Sequence, residues 1–106
     1  MKIVKNKFIP FKGYIAITFF GTIWTRKEKL NDVTINHEAI HIKQEKELLY
    51  LFFYLIYLFE WLFKSIYYLN FYRGYKEVSF EKEAYSNEKN LDYLKIRKKF
   101  SQWRKK

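Results

Sequence analysis

The chain has two histidines, and both stand in the run HEAIH, as His37 and His41, with Glu38 directly after the first. Scattered at random, two histidines fall four apart in about 2% of arrangements, and a following glutamate brings the odds to roughly one in 600. On a helix, side chains at i and i+4 share a face, so the two imidazoles converge on one ion. Catalytic zinc takes three protein ligands and keeps a fourth position open. A glutamate next to the first histidine points near that position. There it can take a proton from the metal-bound water and pass it to the leaving amine. The pattern therefore nominates His37 and His41 as metal ligands and Glu38 as general base. Two other readings fit the same residues: a satisfied histidine pair in a small helical core, and a site that holds metal without doing chemistry.

With no cysteine and no third histidine, the third ligand must be an acid. Downstream candidates are Glu60, Glu77, Glu81, Glu83, Glu88 and Asp92. Glu60 is more simply the i,i+4 partner of Lys64. Glu81 and Glu83 point about 200° apart on a helix, so only one of them can face the histidines. Glu81 shares its face with Tyr85 and Glu88. Glu83 shares its face with Asn87, and if it is exposed its loss costs little stability.

These residues need elements to carry them. Residues 1 to 12 read as a short strand and turn, and Tyr14 to Arg26 as one long bent strand or a hairpin, with Gly21 marking a bulge or turn. A polar loop, KEKLND, leads to a helix capped by Asn31 or Asp32, whose first turns hold HEAIH. Leu48 to Tyr72 follows, strongly apolar, but its uncharged run is only about twelve residues, short of a clear spanning helix. Tyr50, Tyr54, Tyr57, Trp61, Lys64 and Tyr68 give it a row of polar tips; Leu51, Leu55, Leu58 and Leu62 line a neighbouring apolar surface. It reads as a buried helix of an aromatic core, an interfacial or re-entrant membrane helix, or a transmembrane span. Gly74 marks a turn, and Ser79 can cap a helix through FEKEAYSNEKN. In the C-terminal run, Tyr93, Ile96, Phe100 and Trp103 make an apolar helical stripe flanked by Lys95, Arg97, Lys98, Lys99 and Arg104. That stripe suits a membrane surface, a phosphate backbone or an ordinary solvated helix.

HEAIH followed, after a hydrophobic helical hairpin, by FEKEAY resembles the glutamate-zincin metallopeptidases. The closer likeness is to their membrane-associated branches, the prenyl-protein (CaaX-type) endopeptidases and the metallopeptidase domains of β-lactam-sensing transducers. It extends to small HExxH proteins of about this length. The resemblance runs over roughly 32–90. It implies a minimal zincin-like domain, with Glu81 as the third zinc ligand and Ala84 on the small residue of the family's Glu-x-x-Ala-Asp motif. Tyr85 stands where the family has an aspartate that orients a ligand imidazole; a tyrosine offers one hydrogen bond but no negative charge. The resemblance makes Tyr85 an outer-shell or oxyanion-stabilising group. It also lets the upstream strand act as an edge for an extended substrate.

The 106 residues fit a single domain, 1–106, of α+β class and mainly helical. At that size a metal or a membrane helps hold a modest core. The formal net charge of +10 favours phosphate-bearing partners. The basic N-terminus lacks an unbroken apolar core, because Pro10 and Lys12 interrupt it, so the expected location is cytoplasmic with membrane association. The expected function is zinc-dependent hydrolysis of a peptide or protein substrate near an anionic membrane surface. The alternatives are a non-catalytic basic, aromatic module binding anionic lipid or nucleic acid, and a metal-binding pseudoenzyme. Nucleic acid is the weaker partner, since the basic residues are spread over termini and loops and no nucleic-acid motif appears.

Overall fold

The computed structural model describes residues 2–6, 16–19, 21–25 and 29–103. The turn expected after the first strand, the start of the Tyr14 segment, most of the KEK loop and Arg104 lie outside them. The fold is α+β and mainly helical. Strands β1 (Lys2–Lys5), β2 (Ala16–Phe19) and β3 (Thr22–Thr25) form a sheet of order β1-β3-β2. β2 and β3 are antiparallel, with Phe19 opposite Thr22, and β1 runs parallel to β3. The segment around Gly21 is thus a hairpin. Gly21 closes it at φ 77, where a side chain would be strained. β2 lies at an edge of the sheet.

Helix α1 (Asp32–Glu47) starts at Asn31, whose side chain accepts from the Thr34 amide at 2.8 Å, with Asp32 in the first turn. Ile42 of α1 packs with Ile23 of β3 and with Leu30, which fixes the helix against the sheet. Leu49 and Tyr50, both at positive φ, turn the chain through a 114° corner into α2 (Leu51–Tyr68). Phe53 of α2, Val78 and Phe80 form the second core cluster, with Tyr54, Ile56, Tyr57 and Trp61 packed around it.

The residues around Gly74 form helix α3 (Phe71–Lys76), not the turn that the glycine suggested. Asn70 caps it by accepting from the Arg73 amide at 2.8 Å. Glycine is required there for another reason. A Cβ on Gly74 would sit 2.1 Å from Ser65 Oγ and 2.6 Å from the Ser65 backbone nitrogen, so α3 crosses α2 at backbone contact. Helix α4 (Ser79–Asn87) receives its cap from another element: Glu60 of α2 accepts from the Ser79 amide at 3.0 Å and from its hydroxyl at 2.6 Å. Glu60 also pairs with Lys64 at 3.3 Å, as expected of it.

The C-terminal stripe is not one helix. It is a short α5 (Tyr93–Ile96) and a 3₁₀ turn, Ser101–Trp103. The helix breaks at Arg97, whose backbone is extended because its side chain turns inward to Glu83 and Glu47. Arg97 is therefore a buried structural cation, not part of a solvated basic face.

Candidate metal centre

α1 carries the histidines into the interior between β2 and α4. His37, Glu38 and His41 are all buried, and each offers a ligand atom within 4.8 Å of the others, a group that could hold a metal ion. From α4, the buried Glu81 adds a fourth group. Its Oε1 lies 3.1 Å from His37 Nε2 and 3.0 Å from His41 Nε2, and the two Nε2 atoms are 3.2 Å apart. Among the candidate acids, Glu81 reaches both imidazoles, Glu60 caps α4, and Glu77 pairs with Lys82 at 3.3 Å. Asp92 pairs with Lys95 on the surface at 3.2 Å.

Hydrogen bonds on the far side of each ring decide what the near side presents. Gln44 Nε2 donates to the Phe80 carbonyl at 3.0 Å and to Glu83 Oε1 at 2.8 Å. Its Oε1 must then face His41, where it accepts from Nδ1–H at 2.7 Å. His37 Nδ1 faces Glu88 Oε1 at 3.3 Å, which also calls for a proton on Nδ1. In their neutral forms both rings therefore turn a bare Nε2 toward a carboxylate oxygen. Three acceptors meeting in a buried space repel unless a cation or a proton lies among them.

The charges respond to that crowding. Burial disfavours a charged His41, but the Glu81 carboxylate, its hydrogen bond and Glu38 outweigh this and push the pKa up to about 10. Burial likewise opposes ionised Glu81, yet the two histidines hold its carboxyl well below the usual range. Glu38 goes the other way: burial raises it, against the pull of His41, His37 and the Thr18 hydroxyl.

Several residues that shape the centre escaped sequence reasoning. Thr18 of β2 donates to Glu38 Oε1 at 2.6 Å, leaving Oε2 at 3.9 Å from His37 Nε2. Tyr57 of α2 donates to Glu81 Oε2 at 2.6 Å, so Oε1 is the atom left for the histidines. Asn36 reaches the carbonyls of Glu88 and Asn90 at 2.8 and 2.9 Å and holds the end of α4 where Glu88 meets His37. Gln44 follows His41 by three residues, so a search of the α1 face at i+3 would have found it. Thr18 and Tyr57 come from other elements and carry no local signal.

Tyr85 sits beside the centre but does not hydrogen-bond a ligand ring. Its ring packs edge-on to His37 at 4.4 Å between centroids, and its hydroxyl is 2.6 Å from that of Tyr75. The orienting role that the resemblance gave to Tyr85 falls, for His37, to the carboxylate of Glu88. Burial pushes the Tyr85 hydroxyl up to about 12, so it remains a donor at neutral pH. Glu83 is not exposed; it is buried against Arg97, Tyr93 and Gln44, so the condition for a small effect of its removal is not met.

No protein-family model, curated protein or solved structure matches this chain.

Proposed function

We propose that the protein is a zinc-dependent peptidase of glutamate-zincin type that works at an anionic membrane surface. The observation that carries this reading is the convergence of His37 Nε2, His41 Nε2 and Glu81 Oε1, with both Nδ1 atoms committed to acceptors. Tetrahedral zinc with nitrogen and oxygen ligands at about 2.0–2.1 Å spaces them about 3.3 Å apart. The three atoms stand 3.0, 3.1 and 3.2 Å from one another, and the two-imidazole, one-carboxylate set is one that hydrolytic zinc uses.

Zinc held there would supply a Lewis acid that brings the pKa of water to about 7 and polarises a carbonyl. The chain's own residues do the rest. Glu38 Oε2 takes the proton of the attacking water and delivers it to the leaving amine; burial raises its pKa, the direction that strengthens a carboxylate as a base. Thr18 fixes the rotamer of Glu38 through Oε1. Tyr57 keeps Glu81 turned toward the histidines. Tyr85 is the candidate donor to the developing oxyanion. Among the described residues β2 is an edge strand, next to Glu38 through Thr18, and that edge accepts an extended substrate strand.

The membrane part of the reading rests on α2. Leu51, Phe52, Leu55, Leu58, Phe59, Leu62, Phe63, Ile66 and Tyr67 are all exposed, and they recur at helical spacing along one face. That face is about 27 Å long and carries no charge. Among the described residues no single helix is long and apolar enough to cross a membrane; α1 and α2 pass that test only as a bent pair. A helix with one apolar face and an inward polar one lies in the interface, and the +10 charge draws it to anionic lipid.

The test is Glu38→Gln. Zinc content should stay at the wild-type level, since Glu38 serves as base, while peptide hydrolysis should fall by about two to four orders of magnitude. Undiminished cleavage by that variant would remove the mechanism.

A further inference from the structure

We propose that Arg97, Glu83 and Gln44 form a positioning relay that locks His41 with its proton on Nδ1 and its Nε2 aimed at Glu81. The part of the test that uses zinc rests on the metal reading above; the relay itself does not. Gln44 is fully buried and could in principle lie either way round, because its amide oxygen and nitrogen occupy nearly the same volume. Its surroundings permit one orientation. Turned over, its oxygen would face the Phe80 carbonyl and Glu83 Oε1, two acceptors, and its nitrogen would face His41 Nδ1.

Glu83 enforces that choice only while its carboxylate is held in place, and Arg97 holds it. Its Nε donates to Glu83 Oε2 at 2.6 Å and its Nη2 to Oε1 at 3.2 Å. Tyr93 donates to the same carboxylate. Arg97 is anchored in turn by Glu47, at 2.6 Å from Nη1 and 3.1 Å from Nη2, and by Gln102 at 2.9 Å. A guanidinium from the C-terminal segment, with no contact to any metal ligand, thus holds the Nδ1–H and the ring orientation of one of them through two side chains. This explains why the expected C-terminal helix stops at Arg97.

The experiment has two arms, run on wild type, Gln44→Met, Glu83→Gln and Glu47→Gln, with circular dichroism to confirm folding. The first is ¹⁵N NMR of the histidine rings in metal-free protein. Wild type should show a His41 Nδ1–H protected from solvent exchange. Gln44→Met should lose that protection and Glu83→Gln should weaken it. The second is the zinc dissociation constant by competition with a chromophoric chelator. Loss of such a ring partner typically weakens binding about 10–100-fold, which is the expectation for Gln44→Met. Glu83→Gln should weaken it at least about threefold, and Glu47→Gln, which leaves the Gln44 contacts in place, by less than about twofold. A His41 Nδ1–H in wild type that exchanges freely with solvent overturns the relay, as does unchanged His41 exchange in Gln44→Met. Equal effects of Glu83→Gln and Glu47→Gln on the ring proton would reduce it to general stability and overturn it too. Protected Nδ1–H in a wild type that takes up no zinc would support the relay and reject the metal reading instead.

Discussion

Helices α1 and α2 are consecutive, and each inverts the usual rule for which residues go inside. α1 buries Asn36, His37, Glu38, His41, Gln44 and Glu45, with only Ile40 and Ile42 as buried apolar residues. α2 buries just Phe53 and Ser65 of its 18 residues and turns leucines and phenylalanines outward. Polar groups in the interior are tolerable only when satisfied, and His37, Glu38, His41 and Gln44 of α1 meet partners in Thr18, Gln44, Glu81, Glu83 and Glu88. Apolar groups at the surface are tolerable only when something covers them. The polar tips of α2 face inward, to serve α1 and its neighbours: Tyr54 donates to Glu45, Tyr57 to Glu81, and Lys64 pairs with Glu60. One helix is thus built around a centre, and the other around a surface.

The sharpest way to break that contrast is to change the outer face of α2. Phe59→Ser with Phe63→Ser removes two exposed rings, each worth about 1.5–3 kcal/mol when buried in an apolar phase. Sedimentation with anionic vesicles should fall at least tenfold, while stability in solution changes by about 0.5 kcal/mol or less per site. Wild type should bind those vesicles more weakly as salt rises. Unchanged sedimentation of the double variant would separate the α2 face from lipid.

A second way titrates the inner centre of α1. Unfolded, His41 titrates near 6.5; folded and metal-free, it does so near 10 because of Glu81. A raised pKa contributes stability that is complete below about 6.5 and is lost as pH climbs through about 10. The melting temperature of metal-free protein should therefore decline between those values. Metal binding replaces that proton, so the zinc-loaded protein should lose less over the same range. A flat profile for metal-free protein would mean that His41 and Glu81 are not paired.

The smallest effect concerns Leu69, which ends α2 in a left-handed conformation at φ 53 and is 88% exposed. Glycine is preferred there, and an L-residue costs about 1 kcal/mol. Leu69→Gly should raise stability by up to about 1 kcal/mol in denaturant unfolding and slightly weaken vesicle binding. A destabilised variant would show that Leu69 packs on the fold and does not face lipid.

What the sequence disclosed follows from how local each signal is. HEAIH, the Asn31 cap and the β-branched hairpin act within a few residues, and the structure places them on α1 and on β2–β3. The alternation of tyrosine and leucine faces on α2 was visible, but which one points inward depends on Glu81 and Glu45, more than twenty and about nine residues away in the chain. Gly74 looked like a turn because a glycine signals both a bend and a close approach, and only the packing on Ser65 separates the two. The C-terminal segment looked helical by period. Nothing local shows that Arg97 leaves the helix for a buried carboxylate some fourteen residues back.

The central claim is that His37, His41 and Glu81 hold one zinc. The most direct measurement is zinc per chain in wild type and Glu81→Ala, purified alike and dialysed against a mild chelator. One zinc per chain is expected in wild type, and a loss of most or all of it in Glu81→Ala. Metal-free wild type, or full retention by Glu81→Ala, would contradict it.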